Sequence, residues 1–151
     1  MDNTPHTGPI LFCTDFSANS EAAFGVALRA ATLTSRPLCL LHVAPEADAQ
    51  FWKGYVRDEA EANEAEAHEA LRATLEQTYG PKIPEGTAVE YAVATGAAAQ
   101  QIVEAALRKD ASLIVLGRQG AGAVRALLFG NVAARVVRNA PCPVLVVPPA
   151  N

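Results

Sequence analysis

A chain of 151 residues, half of them hydrophobic, has the length of one domain and enough apolar content to bury a core without disulfide or metal staples. A formal net charge of −4 argues against a general nucleic-acid binder, and no apolar run approaches the roughly 18 residues of a membrane span. The charge is uneven: Arg57 to Glu69 carries six acids, whereas Ala111 to Asn151 carries none but holds Arg118, Arg125, Arg135 and Arg138.

In chain order, residues 1–9 read as loosely attached. The stretch MDNTPHTGPILFC has no basic n-region and no long apolar h-region, so no signal peptide is expected. The three cysteines, Cys13, Cys39 and Cys142, lack C-x-x-C spacing and read as buried reduced thiols. A cytoplasmic protein is the expectation. The first apolar run, Ile10–Cys13, ends at the polar turn TDFS, and Ser17 or Asn19 can cap the helix that follows. Phe24, Leu28, Ala31 and Leu33 give that helix an apolar stripe, and Arg36-Pro37 stops it.

The second strand is Leu38–Val43. An Ala/Glu-rich helix with a solvated acidic face covers roughly 54–79 and is broken by Gly80-Pro81. Ala88–Val93 is the third strand, and Thr95-Gly96 turns into a helix that runs through Arg108. SLIVLG, ending at Gly117, is the fourth strand. A glycine-rich segment, GRQGAGAVRALLFGN, runs from Gly117 to Asn131; a helix follows over about 132–139. Val144–Val147 is a fifth strand bracketed by Pro143 and Pro148. Near-continuous apolar strands alternating with helices predict an α/β fold, a Rossmann-like open parallel five-stranded sheet with helices on both faces. There is no repeat and no domain linker.

Open sheets of this kind bind ligands at the carboxyl ends of the strands, where the strand order reverses. An order of 3-2-1-4-5 brings Thr14-Asp15 beside Gly117-Arg118-Gln119-Gly120. That chemistry suits a nucleotide. Gly117 and Gly120 offer backbone N–H groups unhindered by Cβ, and Gly130-Asn131 opens a helix whose N-terminus favours phosphate, with Asn131 as its N-cap. Arg118 adds charge, and Asp15 can accept from a ribose hydroxyl. The familiar nucleotide motifs do not match. The only lysines are Lys53, Lys82 and Lys109, so there is no P-loop, and Gly120-Ala121-Gly122 is followed at the third position by Arg125. His6, His42 and His68 lie in a tail, a strand and an acidic helix, and nothing groups them as metal ligands.

The stretches TDFSANSEAAFGVAL, LLHVA and GRQGAGAVRALLFGNVAARVVRNAPCPVLVV resemble the universal stress protein family from Ile10 to Val147. Its nucleotide-binding branch carries G-x2-G-x9-G followed by Ser or Thr; here Gly117, Gly120 and Gly130 match, and Asn131 departs. The resemblance implies a homodimer that holds ATP or a related adenine nucleotide, with Mg²⁺ as a further expectation. It implies that Asp15 holds the ribose, that Thr14 and the Val43 backbone line the adenine pocket, and that Gly117, Gly120, Gly130 and Asn131 cradle the phosphates. Loss of the hydroxyl at Asn131 bears on a phosphate contact and on metal ligation.

The leading reading is a stress-response regulator that responds to nucleotide occupancy. The alternatives are a dimeric interaction protein with a purely structural glycine loop, and a slow ATPase or autophosphorylating protein. No nucleophile–base pair is evident from spacing. The homodimer is expected through the edge strand Val144, Leu145, Val146 and Val147, whose free N–H and C=O groups invite pairing across a two-fold axis.

Overall fold

The computed structural model describes residues 5–45, 60–118 and 130–150. Five parallel strands form one sheet: β1 (Ile10–Cys13), β2 (Leu38–Ala44), β3 (Val89–Thr95), β4 (Leu113–Gly117) and β5 (Val144–Val147). Their order is β3-β2-β1-β4-β5, as the sequence predicts. The connecting helices are α1 (Ala18–Thr34), α2 (Ala60–Tyr79), α3 (Ala98–Lys109) and α4 (Asn131–Asn139), with a 3₁₀ turn at Gly80–Lys82. The last helix thus begins at Asn131, one residue earlier than expected. Residues 54–59 of the expected acidic helix and Gly120 lie outside the described residues.

All four residues of β1 are buried, and their alternation divides the core in two. Ile10 and Phe12 pack with Ala23, Phe24 and Ala27 of α1 and with Leu75 and Tyr79 of α2. Leu11 and Cys13 pack with Ile102 and Ala105 of α3 and with Ala133 and Val136 of α4. Both faces are covered, which is why the strands read as continuous apolar runs rather than alternating ones. On α1 the buried positions Ala23, Ala27 and Ala31 recur every four residues. Leu33 does not belong to that stripe: it is 79% exposed. It follows Ala31 by two residues, which at 3.6 residues per turn is about 200° round the helix.

Cys13 and Cys39 are buried and Cys142 half-buried, all three as free thiols. Burial pushes the Cys39 thiol up to about 12, and it raises Cys13 and Cys142 as well. These cysteines pack as small apolar groups, far from the thiolate form that reacts.

Residues 5–9 correct the expectation of a loose N-terminus. Gly8 N–H donates to the Asp110 carbonyl at 2.9 Å, and the Ser112 N–H donates to the Pro9 carbonyl at 3.0 Å. His6 Nδ1 meets Asp110 Oδ1 at 2.6 Å, and the Thr7 N–H donates to Asp110 Oδ2 at 3.2 Å. Asp110 closes α3 in the left-handed conformation at φ 51°. The strap lies so close to this turn that a Cβ on Gly8 would stand 2.2 Å from the Lys109 carbonyl oxygen. A turn residue at the far end of the sheet therefore organises the N-terminus, through contacts more than 100 residues apart in sequence that local reading does not reach.

The His6 and Thr7 bonds hold the Asp110 carboxyl below its ordinary range. The lowered folded-state pKa means that this contribution is present above the ordinary carboxylate range and is lost as pH falls through the lowered value. Replacing Asp110 with Asn, which tolerates the left-handed backbone, should speed amide exchange at Thr7 and Gly8 at neutral pH with little change in global stability. Gly8→Ala should detach the strap outright. Unchanged exchange at Thr7 in both variants would show that these contacts do not hold the strap.

Candidate functional site

The carboxyl end of β1 is tied by a small buried network. Thr14 is buried, and its N–H donates to the Leu41 carbonyl at 2.9 Å, which prolongs the pairing with β2 by one residue. Thr14 Oγ1 accepts the Phe16 N–H at 2.9 Å and shares a 2.6 Å hydrogen bond with the Tyr79 hydroxyl. His42 Nδ1 lies 2.9 Å from the Thr14 carbonyl oxygen. A carbonyl can only accept, so Nδ1 carries the proton and, in the neutral ring, Nε2 is the acceptor. His42 thus reaches from β2 to the end of β1, 28 residues away in sequence. Burial raises the Tyr79 phenol above its ordinary value, partly offset by the Thr14 bond.

Phe16 stands at φ 63°, an uncommon backbone for a bulky residue. The Thr14 hydroxyl holds its N–H, and its ring packs against His42 at 4.7 Å and Tyr79 at 6.4 Å. This bend aims the chain from β1 into α1. Asp15 Oδ1 accepts the Ser17 N–H and the Ser20 hydroxyl, both at 2.9 Å. Ser17 is the N-cap residue, but its side chain makes no cap bond, and Asn19 lies inside the helix. Asp15, two residues upstream, instead holds the Ser17 N–H in an Asx turn that orders the entry to α1.

The carboxyl end of β4 lies beside this loop. Phe12 pairs with Val115, and the same register carries Thr14 level with Gly117. A Cβ on Gly117 would stand 3.3 Å from the Asn19 carbonyl oxygen, so the close approach of α1 by itself requires a small residue there. The Arg118 N–H donates to the Val147 carbonyl at 2.8 Å, and the Gly130 N–H donates to the Arg118 carbonyl at 2.7 Å. The second bond seats the start of α4 directly after β4. Gly130, at φ −65° and ψ 158°, is the N-cap, and Asn131 is the first helical residue rather than the cap expected from sequence. Gly130 has no side chain with which to cap this helix. The first-turn N–H groups of Asn131, Val132 and Ala133 have no carbonyl within the helix to bond. The Arg118 Nε is buried and has no hydrogen-bond partner among the described residues.

Val43 sits beyond the last β1–β2 pair, Cys13 with Leu41. The Leu41 carbonyl points to β1, since it accepts from Thr14. Two residues on, the Val43 peptide groups point the same way, towards the crevice between the strands. A groove of about 630 Å³ adjoins the site between α3 and α4, where Asn131 and Arg135 face Gln100 and Glu104.

The structure thus brings Thr14, Asp15, Val43, Gly117, Arg118, Gly130 and Asn131 to one end of the sheet. Phe16 and Tyr79 were not legible as members. Tyr79 lies 65 residues from Thr14 in a helix whose sequence signals only a solvated acidic face. Its large aromatic ring at the end of that helix was the available clue. Among the described residues no three His, Cys, Asp or Glu side chains form a metal-binding group, and no helix is long and apolar enough to cross a membrane.

The sequence model of the universal stress protein family matches residues 6–148. A universal stress protein of Thermus aquaticus is 32% identical over 138 residues, covering 91% of this chain and 96% of that protein. One from Methanocaldococcus jannaschii is 34% identical over 124 residues, covering 71% and 69%. The fold is similar to that of universal stress protein UspA from Lactobacillus plantarum, with a TM-score of 0.71, 25% identity and coverage of 96% and 99%. Two further universal stress proteins share the fold, one solved with cAMP (TM-score 0.61, 23% identity, 97% and 100% covered) and one from Archaeoglobus fulgidus solved with dAMP (TM-score 0.58, 24% identity, 93% and 98% covered).

Thr14→Val keeps the shape and removes the acceptor of the Phe16 N–H and the partner of the Tyr79 hydroxyl. Leaving such groups unsatisfied costs about 1–3 kcal/mol each, and a chain of this length loses roughly 2–4 °C of Tm per kcal/mol. With two groups stranded, about 2–6 kcal/mol, the Tm should therefore fall by about 4–24 °C on these scales. Tyr79→Phe, which leaves the Phe16 bond intact, should cost less. Equal losses in the two variants would mean that the Phe16 bend does not depend on Thr14.

Proposed function

The chain belongs to the universal stress protein family, and from that premise we propose that it binds an adenine nucleotide at the carboxyl ends of β1 and β4 and acts as a non-enzymatic regulator of the stress response. The observation that carries this reading is the 2.7 Å bond from Gly130 to Arg118, which ties the start of α4 to the end of β4, where Gly117 lies level with Thr14. In this reading the phosphates meet the first-turn N–H groups of α4, the glycine backbone at Gly117 and Gly120, and Asn131, whose amide can donate. Gly130 contributes by its small size, since its N–H is spent on Arg118. Asp15 accepts from the ribose, and Thr14 and the Val43 backbone line the base pocket. Relatives of this fold solved with cAMP and dAMP make an adenine nucleotide the natural ligand class.

The protein works as a cytoplasmic homodimer in this proposal. β5 is an edge strand with Leu145 40% exposed, and pairing Val144, Leu145, Val146 and Val147 with their copies would complete its ladder. Two observations favour the second reading, a dimeric interaction protein without nucleotide. Gly117 is already accounted for by its packing against Asn19, and Asp15 already orders the entry to α1 through Ser17 and Ser20.

Thermal unfolding with millimolar ATP, ADP or AMP separates the two. At about 100 times its Kd a ligand adds roughly 2.7 kcal/mol, a rise of about 5–11 °C. Asp15→Ala should weaken binding by roughly 1.5–3 kcal/mol, the range of a charge-assisted hydrogen bond, and should lower the unliganded Tm through loss of its bonds to Ser17 and Ser20. Absence of any shift with every nucleotide favours the second reading. Light scattering tests the assembly: the dimer reading requires about twice the 15.8 kDa of one chain, and Val146→Pro should lower it.

A further inference from the structure

The two faces of the sheet carry opposite charge. α1 and α2 cover one face, α3 and α4 the other. On α2, Glu66, Glu69, Ala73 and Glu76 follow one another at i, i+3, i+7 and i+10, so they form one ridge, turned away from the buried Leu75. The three acids are exposed. Glu69 is bonded to Arg72 at 2.8 Å, whereas Glu66 and Glu76 have no ion-pair partner among the described residues. Lys82, on the same side of the sheet, is taken by Glu21 at 2.7 Å. Ala70 is exposed beside the ridge, so the side chains between the acids are small.

The opposite face is basic. Arg108 of α3 and Arg135 and Arg138 of α4 are exposed, and none has an ion-pair partner among the described residues. No Asp or Glu occurs from Ala111 to Asn151, so that stretch holds nothing to neutralise α4. Glu104, the acid of α3, already accepts from Gln100 Nε2 at 3.1 Å. The groove of about 630 Å³ between the two helices has Ala99, Val103 and Val132 on its walls and Arg135 beside them. Leu107 follows Val103 by four residues and extends the same wall. Leu107 is 61% exposed and Val132 39%. An apolar trough edged by arginines fits a helix that offers small apolar side chains between acids.

We propose that this groove receives the α2 ridge of a second copy of the chain, with Ala70 and Ala73 against its apolar walls and Glu66 and Glu76 beside its arginines. The ridge and the groove lie on opposite faces of the sheet, so they cannot meet within one chain. Each copy gives one surface and receives through the other. Such a contact is heterologous: it passes from copy to copy instead of closing on a two-fold axis. It is separate from pairing through β5 and goes beyond the nucleotide reading, which it does not need. The net charge of −4 repels at a distance, but the screening length at physiological salt is about 8 Å, so local pairs govern the contact itself.

Light scattering of the full chain from micromolar to millimolar concentration tests this, at physiological salt and in about 1 M salt, where the screening length is about 3 Å. The mass should climb with concentration past twice the 15.8 kDa of one chain and fall back in high salt. Two double variants read the pairing directly. Arg135→Glu with Arg138→Glu makes both surfaces acidic, and Glu66→Lys with Glu76→Lys makes both basic. Either variant alone should associate about tenfold more weakly or less, because like charges then meet. Mixed in equal amounts, the two should associate again. Arg29→Glu, a charge change on α1 away from both surfaces, should leave association as in the parent. These positions are exposed, so the fold is kept. A parent mass that is constant over the whole range overturns the proposal and leaves the groove to a small ligand or a different protein. Association that high salt or either variant alone leaves intact overturns it too, as does a mixture that stays apart.

Discussion

The rest of the molecule depends on β1 being paired on both edges at once. Four residues, Ile10–Cys13, bond β2 on one side and β4 on the other. The chain leaves β1 through α1 to β2, and it reaches β4 only after β3 and α3. The two halves of the fold therefore wind away from this strand in opposite directions, and a crevice opens at its carboxyl end. Every group in the candidate site is hung from that geometry. Thr14 continues β1, Val43 overhangs it from β2, and Gly117 comes level with Thr14 from β4.

What keeps the crevice in shape is the way polar groups at the strand ends satisfy one another. Thr14 uses its N–H, its hydroxyl and its carbonyl on four different partners: Leu41, Phe16, Tyr79 and His42. This binds β1, β2, α2 and the loop into one unit and holds Phe16 in a backbone conformation it would not adopt alone. On the other side, Arg118 bonds both β5 and the start of α4 through its backbone. The contrast lies in the side chains. The Thr14 network is closed, whereas Arg118 and the first turn of α4 keep donors with nothing inside the described fold to meet them.

That contrast also bears on how glycine and acid residues should be weighed at such a site. Gly117 has two physical reasons to be small: a helix stands 3.3 Å from its absent Cβ, and an anion would approach the same backbone. Asp15 likewise serves the entry to α1 through Ser17 and Ser20, and in the proposed reading it would serve a sugar as well. Residues at a switch point carry structural duties because the strand ends, loops and helix starts all meet there. A residue type alone cannot separate those duties from ligand contact, whereas an unsatisfied buried donor can.

The sequence by itself determined the strand runs, their alternation with helices, the order of the sheet and the pairing of the two unusual loops. These follow from periodicity, from proline and glycine punctuation and from general rules of α/β winding, all of which act over short stretches of chain. It also placed the cysteines in their settings. Only the tertiary structure decided what the loop residues touch. Leu33 points to solvent because helical phase, not hydrophobicity, sets its direction. Asp15 holds the Ser17 N–H, Gly130 takes the N-cap position from Asn131, and Asp110 captures His6, Thr7 and Gly8 at the sheet's far end. Tyr79 joins Thr14 across 65 residues. Local pattern carries no information about such contacts, because each depends on two segments arriving at one place with compatible hydrogen-bonding groups, and that coincidence exists only once the chain has folded.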